Sequence, residues 1–411
     1  MAQFDAGEAS AKSADRRSPL EYVSEKEVVD LLARLVGFPS HEGVPERETA
    51  VASYIRDFFL DEGIEAETVP VTDGRCNVVA RLRGKGGGKS LLFAGHTDTV
   101  PPYDMKRDPY AAEIDRGKMY GRGVVDMKAG LACMMIAMLA IKRSGTELSG
   151  DLIFAGLIDE EAKSEGARAY LKTGESPDAA IVGEPTGMRI CVGHRGLEWF
   201  EFTFHGKTVH GGKQKEGINA IRKAAMFINK LESNLIPSIE ARTDPLIGAS
   251  SMNYGFIKGG TQPSTVAGEC VLQIDRRWVP AEKFSDIRAE YQGVLDGLRA
   301  EDPTFDADFK VMDISYMEDR YIHEAMRTDP NDRIVRVAQN AIEEALGESG
   351  NPTSFPAWSD GGLLNYYGKI PTIILGPGDL AGAHSSDEYI EIAALFPAVS
   401  VYCGIACEYC G

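Results

Sequence analysis

The spacing of apolar residues divides the chain into helices and short buried strands. Residues 25–64 predict helix, with a Gly- and Pro-containing loop before a second helical pattern at 50–60. Short apolar runs bounded by Gly or Asp are typical of buried strands, and they recur at 77–82, 90–94, 152–157 and 179–182. Residues 129–141 are apolar on nearly all sides and predict a core helix. This β-α-β order favours a layered α/β sheet with helices on both faces.

The pattern changes near residue 195. Residues 198–205 alternate as a half-exposed strand does, and further elements follow as helix 219–231, strands 252–258 and 269–274, helix 282–299 and strand 309–314. This order predicts an α+β domain of the ferredoxin-like type. The α/β pattern then returns with helix 333–346, strand 372–375 and a last helix from about residue 390. We therefore predict one mixed-sheet α/β domain, residues 1–194 and 319–411, interrupted by an inserted domain at 195–318.

Composition narrows the class of protein. The 411 residues include 62 Asp and Glu against 44 Lys and Arg, and the net charge of −18 argues against nucleic acid or an anionic membrane as partner. The longest apolar run, 131–141, is far shorter than the ~20 residues of a membrane-spanning helix. Residues 1–20 lack the apolar stretch of a secretory signal and predict a polar, mobile tail. Seven scattered cysteines indicate reduced thiols and a cytoplasmic location.

Five short segments carry metal-type ligands at predicted strand ends or loops. They are GHTDTV (95–100), GRGVVDMK (121–128), DEE (159–161), GEPT (183–186) and AHSSDE (383–388). His96, Asp98 and Glu161 come directly after apolar strands. Strand ends of this kind form the edge of an open α/β sheet where ligands bind.

A hydrolytic centre with two zinc ions needs a specific set of side chains. It needs two imidazoles, a bridging carboxylate, a terminal carboxylate for each ion and a free base. The chain offers exactly as many candidates as that set requires: His96, His384, Asp126, Glu161, Glu184 and Glu160. Asp98, two residues after His96, is placed to orient its imidazole.

Each of these segments also has an ordinary interpretation. A single His-x-Asp after a strand usually marks a turn, and an acidic triplet is usually a solvated loop. The complete ordered set, in which each member lies near Gly and after an apolar strand, favours the metal centre.

The longer motifs GHTDTVP, GRGVVDMKAG, DEE, GEPT and AHSSDEY resemble those of the M20 metallopeptidase family of dinuclear zinc amidohydrolases. That family includes acetylornithine deacetylase, succinyl-diaminopimelate desuccinylase, aminoacylase-1 and glutamate carboxypeptidases. The resemblance implies that His96 and Glu184 hold one ion, that Glu161 and His384 hold the other, and that Asp126 bridges them. Zinc is the expected metal, with cobalt and manganese as alternatives.

The same resemblance assigns roles to further residues. Glu160 matches the general base and Asp98 the helper acid, while the inserted domain matches a lid that also forms a homodimer interface. Family aminopeptidases tend to carry Asp at the position of Glu184, whereas deacylases and carboxypeptidases carry Glu. This favours a deacylase of N-acyl amino acids.

Three positions outside the ligand set matter for the substrate. His210, in GKTVHGG, is either an exposed turn histidine or, as the resemblance implies, a residue that stabilises the oxyanion in a neighbouring subunit. Arg277 matches the family arginine that holds a substrate carboxylate, and Arg276 is predicted as a surface residue. Gly376, in GPG, matches a loop beside the substrate, as does segment 359–362; the alternative for both is a tight turn.

The chain departs from the family pattern in two places. Residues 211–216 replace a stretch that commonly contains Pro, and Ser264 stands where an Asn commonly helps to bind substrate. Serine lacks the paired donor and acceptor of the amide, so the family pattern does not define the acyl group. A separate motif, Cys403, Cys407 and Cys410, has the spacing of a radical-SAM iron–sulfur site. Because it places three small residues on one helix face, packing is the preferred interpretation and the iron–sulfur site is dismissed.

Three functions follow from these observations. The first is hydrolysis of an N-acyl amino acid amide, and the second is a carboxypeptidase or dipeptidase that uses the same centre. The third is a binding protein that has kept the fold without activity, which loss of Glu160 or of a ligand would have indicated. No such loss is present.

Overall fold

The computed structural model describes residues 18–411. The predicted polar tail at 1–20 lies almost wholly outside the described residues, and only its end enters a 3₁₀ turn at Pro19–Tyr22. In chain order, the α-helices of the described part are α1 (Glu25–Val36), α2 (Thr49–Asp61), α3 (Ala129–Ser144), α4 (Glu165–Lys172), α5 (Ala220–Lys230), α6 (Ile236–Glu240), α7 (Phe284–Glu301), α8 (Arg333–Leu346), α9 (Gly361–Tyr366) and α10 (Leu395–Cys410). The strands of the same part are β1 (Glu65–Thr72), β2 (Arg75–Leu82), β3 (Leu91–His96), β4 (Glu113–Asp115), β5 (Lys118–Tyr120), β6 (Leu152–Leu157), β7 (Ala179–Val182), β8 (Gly193–His194), β9 (Gly196–His205), β10 (Thr243–Asp244), β11 (Gly248–Ala249), β12 (Ser251–Gly259), β13 (Glu269–Trp278), β14 (Asp306–Val311), β15 (Met326–Arg327), β16 (Thr372–Ile374) and β17 (Tyr389–Glu391).

The central sheet is mixed and has the strand order β1-β2-β6-β3-β7-β16. Strand β3 runs parallel to β6 and β7, and β16 runs parallel to β7, whereas β1 and β2 are antiparallel to their neighbours. The predicted apolar strands β3, β6 and β7 are buried at every residue. The predicted α/β fold with a mixed sheet is therefore confirmed.

Both faces of this sheet are covered. Alternate residues of β3 point to opposite sides: Leu91 and Phe93 pack with α1, α2, α3, α8 and α10, whereas Leu92 and Ala94 pack with α4 and α9. Helix α3 is buried throughout 129–141, as its uniformly apolar sequence predicted. The sheet thus lies between two apolar layers, and the carboxyl ends of its parallel strands are not covered by either layer.

Two helical segments of the described chain, Val124–Ser144 and Ile392–Cys410, are long and apolar enough to cross a membrane by length and composition. The longest apolar run in the sequence, 131–141, is too short to predict such a helix. The first segment is wholly buried inside the protein and the second is half-buried, and α10 packs against both α3 and α8. Cys403 and Cys410 lie in that apolar layer, and all seven cysteines are free thiols.

A second sheet, antiparallel, has the order β12-β13-β9-β14. The buried residues Phe200, Phe202 and Phe204 alternate along β9 and form an aromatic core with α5 and α7. With the helices after the first and third strands, this is the predicted ferredoxin-like order. The boundaries 195 and 318 of an inserted domain stay a prediction.

Several element bounds differ from the predictions. Strand β1 was missed because its sequence, EAETVPVT, is polar and half-exposed at the sheet edge. The predicted helix over 25–64 is two helices, and α2 ends at Asp61. The last helix begins at Leu395 rather than near 390, because residues 389–391 pair with β5 and Pro397 fits only the first turn of a helix. Strand β14 starts three residues before the predicted 309–314, in register with β9.

Candidate metal centre

Three neighbouring parallel strands end beside one another and carry the first group of site residues. His96 is the last residue of β3, Glu160 and Glu161 follow β6, and Glu184 follows β7. The register pairs His96 with Leu157, so the loops that leave these strands start at the same level. Because the carboxyl ends of parallel strands meet at one edge, residues far apart in sequence come together here.

The other two predicted ligands arrive from loops outside the sheet. Asp126 lies in the turn Val124–Lys128, where its φ of −120° and ψ of 96° are not helical, directly before the buried helix α3. His384 follows a 3₁₀ turn at Leu380–Gly382 and precedes β17. His384 is half-exposed, whereas His96, Asp126 and Glu184 are buried, so the cluster opens to solvent on the side of His384.

The carboxylate of Asp126 stands between two histidines that approach different oxygens. His96 Nε2 lies 3.1 Å from Asp126 Oδ1, and His384 Nε2 lies 3.3 Å from Asp126 Oδ2. On the first side, Glu184 Oε1 lies 3.7 Å from His96 Nε2. On the second side, Glu161 Oε1 lies 2.9 Å from His384 Nε2. Asp126 therefore divides the residues into two pairs, His96 with Glu184 and His384 with Glu161.

The chemistry of these groups fits divalent cations. One ligand atom each of His96, Asp126 and Glu161 lie within 4.8 Å of one another, and the same holds for His96, Glu160 and Glu184. Glu184 Oε1 is buried without a hydrogen-bond partner among the described residues, and burial raises the pKa of Glu184 well above its ordinary value. Imidazole nitrogens with carboxylate oxygens suit zinc and its neighbours in the first transition row. A cation in each pair would give these crowded carboxylates the positive charge that they lack.

Glu160 lies next to Glu161 on the same turn, and both residues are part-buried. Burial raises the pKa of Glu160 well above its ordinary value; His96 opposes this rise, and Glu184 adds to it. One carboxylate oxygen of Glu160 and one ligand atom each of His96 and Glu184 lie within 4.8 Å of one another. The position suits a proton acceptor beside the cluster, and its role as general base stays a prediction.

Asp98 contacts both halves of this arrangement. Its backbone carbonyl lies 3.0 Å from His96 Nδ1, and its carboxylate Oδ1 lies 3.6 Å from the same nitrogen. The two carboxylate oxygens also accept the backbone N–H groups of Glu160 and Glu161 at 3.1 and 3.0 Å. Asp98 was predicted to orient an imidazole, and it additionally holds the turn that bears both glutamates.

Glu388 was not singled out from the sequence, although it lies four residues after His384 in the last motif. Its buried carboxylate accepts the backbone N–H groups of Gly123, Val125 and Asp126 at 3.1, 3.0 and 3.3 Å. It also pairs with Arg122 at 2.6 Å. Glu388 thereby ties the loop of Asp126 to the loop of His384.

Asp360 belongs to the segment 359–362, for which a loop beside the substrate and a tight turn were the two alternatives. The structure places it at the start of α9 with its carboxyl buried. Burial raises the pKa of Asp360 to about 7, and the charges of Asp98 and Asp159 add to the rise. Asp360 therefore lies within the electrostatic field of the cluster.

His210 lies elsewhere in this chain. It is exposed at the start of the 3₁₀ turn Gly211–Glu216, where its Nδ1 accepts the backbone N–H of Gly212 at 3.2 Å. None of the hydrogen bonds or ion pairs of the described residues joins it to the cluster. An oxyanion role in a partner subunit stays a prediction.

Arg276 corrects an expectation. It was predicted as a surface residue, but its side chain is fully buried and pairs with Glu282. The reason is the alternation of β13, which buries even positions and leaves Arg277 half-exposed on the open face. There, Arg277 pairs with Asp275, with Nε at 3.0 Å from Oδ1 and Nη2 at 3.1 Å from Oδ2.

Gly376 lies against the loop of Glu184. A Cβ at Gly376 would meet the backbone oxygens of Gly183 and Glu184 at 2.3 and 2.5 Å, so this position excludes any side chain. Its N–H donates to Thr186 Oγ1 at 3.2 Å. The structure thus brings Gly376 to the site, where it permits close packing, and contact with substrate stays a prediction.

Comparisons with known proteins agree with this picture. The model of Peptidase family M20/M25/M40 matches residues 92–408. An N-formyl-4-amino-5-aminomethyl-2-methylpyrimidine deformylase from Halalkalibacterium halodurans is 30% identical over 409 residues, which cover 94% of this chain and 95% of the deformylase. An acetylornithine deacetylase from Proteus mirabilis is 30% identical over 348 residues, or 82% of this chain and 84% of the deacetylase. The solved aminopeptidase PepT from Bacillus cereus matches with a TM-score of 0.79 at 22% identity, covering 95% of this chain and 100% of its own, and shares the fold.

Proposed function

Because this chain belongs to peptidase family M20/M25/M40, a family of metal-dependent hydrolases, we propose that it hydrolyses the amide bond of an N-acyl amino acid or a related small N-acyl amine. The observation that carries this proposal is the position of Asp126, whose two oxygens face two separate His–carboxylate pairs. A part-buried glutamate, Glu160, lies beside that arrangement. These are the groups that amide hydrolysis at a two-ion centre requires.

Two divalent ions, zinc by preference and cobalt or manganese otherwise, would be held by this cluster. His96 and Glu184 would hold one, His384 and Glu161 would hold the other, and Asp126 stands between the two pairs. When bound, such ions would supply positive charge to polarise the scissile carbonyl and to lower the pKa of a water molecule. The remaining chemistry belongs to the side chains of this chain.

Glu160 moves the proton. Its carboxylate takes a proton from the attacking water and later gives that proton to the nitrogen of the leaving amine. Asp98 keeps Glu160 in place through the backbone N–H that it accepts.

The segment 195–318 supplies the remaining groups in this proposal. It acts as a lid and as the contact between two copies of the chain in a cytoplasmic homodimer, and His210 reaches the partner's site to stabilise the oxyanion. Arg277 on the open face of β13 binds a substrate carboxylate in place of Asp275, and Gly376 borders the bound substrate. Because Ser264 stands where an Asn commonly helps to bind substrate, the family pattern does not define which acyl group is bound.

One feature favours an acyl substrate over a peptide, and a second argues against an aminopeptidase. The matched relatives include a deformylase and a deacetylase, and the ligand Glu184 is of the deacylase and carboxypeptidase type. The second candidate is a carboxypeptidase or dipeptidase of the same family. The half-exposed Arg277 favours it equally, because dipeptides and N-acyl amino acids both present a free α-carboxylate.

A substrate panel tests the proposal. The zinc-loaded protein is given N-formyl, N-acetyl and N-succinyl derivatives of amino acids and of small amines, together with a set of dipeptides, and release of primary amine is measured. We expect one N-acyl series to be cleaved about tenfold or more faster than any dipeptide, a ratio that pocket contacts can supply. Cleavage of dipeptides alone would support the second candidate. A protein that binds two ions and cleaves nothing would be the inactive binding protein.

A further inference from the structure

Behind the turn of Glu160 and Glu161 lies a buried ion network that the ligand set does not include. Arg75, the first residue of β2, donates from Nε to Glu48 Oε2 at 2.7 Å and from Nη2 to Asp159 Oδ1 at 2.8 Å. The three side chains are 9%, 1% and 6% exposed. The network therefore joins the start of β2, the start of α2 and the loop after β6 in a dry environment.

Asp159 anchors the turn that bears Glu160 and Glu161, which we call the catalytic turn. Its φ is +70°, in the left-handed region that is strained for a side-chain-bearing residue. Its backbone carbonyl accepts the N–H groups of residues 162, 163 and 164, and its Oδ2 accepts the N–H of Lys163 at 3.1 Å. Asp159 thus closes the turn that presents Glu160 and Glu161, and that turn has Asp98 on the other side.

Stability alone does not explain such a network. Moving charged groups out of water is costly, and buried ion pairs can often be replaced by apolar residues without loss of stability. Glu48, Asp159 and Glu165 place three carboxylates around the guanidinium of Arg75. What the network provides is geometry, because a planar guanidinium fixes the angle between the carboxylates that it joins.

We propose that Arg75 is a positioning residue, whose guanidinium fixes Asp159 and thereby sets where the carboxylates of Glu160 and Glu161 stand relative to His96 and Asp126. The proposal rests on the proposed function, since Glu160 and Glu161 are its base and one of its ligands. Lysine cannot take this role, because one ammonium group cannot bind the two carboxylate oxygens of Glu48 and Asp159 Oδ1 in one fixed plane.

The chain offers a matched control on the same strand. Arg81, also on β2, pairs with Asp151 at 3.1 Å and with Glu175, is 16% exposed, and faces no member of the cluster. Arg75→Met and Arg81→Met each remove one guanidinium from β2. Only the first removes a contact to the catalytic turn.

The experiment measures two properties of each full-length variant. Hydrolysis of the best panel substrate gives kcat and KM, and titration of the metal-free protein with Co²⁺, followed by the visible absorption of the bound ion, gives metal affinity without substrate. We expect Arg75→Met to lower kcat and the affinity for the weaker-bound Co²⁺ by about 10- to 100-fold each, as loss of residues behind a metal centre does. KM should change by less than about threefold, and Arg81→Met should leave kcat and Co²⁺ affinity at the wild-type values.

Further variants keep the inference testable if Arg75→Met does not fold. Arg75→Lys retains the charge, and we expect it to lower kcat while the thermal melt stays cooperative. The double variant Arg75→Met/Asp159→Asn should cost no more than either single change, because both break one contact chain. Wild-type kcat and Co²⁺ affinity in Arg75→Lys, or in Arg75→Met, would overturn the inference. If no panel substrate is cleaved by the wild type, the proposed function fails, and the Co²⁺ titration still decides the role of Arg75.

Discussion

The candidate functional residues near the central sheet and those near the four-stranded sheet differ in their burial and in their partners. At the edge of the central sheet, residues from five separate segments meet within one chain, and most are buried. On the four-stranded sheet, His210 is exposed and Arg277 is occupied by its neighbour Asp275. The first region is assembled by the fold of one chain, whereas in the proposed function the groups of the second region act only with another molecule.

The difference has a topological cause. Parallel strands bring their carboxyl ends to one edge, so a residue at each strand end joins the cluster without a long loop. The four-stranded sheet is antiparallel, and its strand ends lie at both edges. Its functional residues therefore lie on an open face or at a turn tip. If this account is correct, variants in the first region act within one chain, and variants at His210 act between chains.

The largest effect is expected from Glu160→Gln, in the first region. The amide cannot accept the proton of water, so kcat should fall by roughly 10²- to 10⁴-fold, the usual contribution of a general base. Metal content, measured by inductively coupled plasma mass spectrometry, should match the wild type. A variant that loses its ions while its residual rate is unchanged would remove Glu160 from the base role and make it a ligand.

The next effect is expected from His210→Ala, in the second region. Loss of one oxyanion donor should lower kcat by roughly 10²- to 10³-fold without change in metal content. Mixing this variant with Glu160→Gln distinguishes the two regions. Random exchange of subunits gives dimers in which one site has both groups intact, so about a quarter of wild-type activity should return if His210 acts across a dimer. No recovery on mixing, with exchange verified, would place His210 outside the partner's site.

Adjacent arginines in the second region should separate stability from binding. Arg276→Met leaves the buried Glu282 without one of its partners and should lower the free energy of unfolding by about 3 kcal/mol, measured by urea denaturation. Arg277→Ala should change it by less than about 1 kcal/mol, because its side chain is partly exposed. Instead, the KM for a carboxylate-bearing substrate should rise about tenfold or more, as loss of a charged hydrogen bond predicts. Equal effects of the two variants on stability would contradict the alternation on β13.

The smallest effect gives the baseline for these comparisons. Lys26→Ala removes an exposed ion pair with Asp30 on α1, and none of the hydrogen bonds or ion pairs of the described residues joins this pair to either region. We expect a change of less than about 0.5 kcal/mol in the free energy of unfolding and no change in kcat. A larger loss of activity would show that the assay responds to general destabilisation.

Much of the fold was predictable because its signals are local. The apolar runs of β3, β6 and β7 and the uniformly apolar α3 are recognisable in the sequence. Site residues lie at or after the ends of the strands and just before the helix. Strand β1 was not predicted because a polar edge strand has no apolar periodicity. Arg276 was misassigned because its charge was given more weight than the alternation of β13, which its neighbours Ile274 and Trp278 already display.

The residues that support the site could not be predicted in the same way. Arg75 contacts Glu48 and Asp159, which lie 27 and 84 residues away in sequence. Glu388 contacts Asp126 across 262 residues. Such contacts depend on the completed tertiary structure, and a lone Arg or Glu in sequence resembles any solvated charge.

The central claim is that the two oxygens of Asp126 belong to two separate ion sites. The most direct measurement is the number of zinc ions bound per chain, obtained by mass spectrometry after saturation and removal of free metal, for the wild type and for Asp126→Ala. We predict about two ions for the wild type, and one or none for the variant, because both pairs lose their shared carboxylate. A wild type that binds a single ion, or a variant that retains both, would contradict the account.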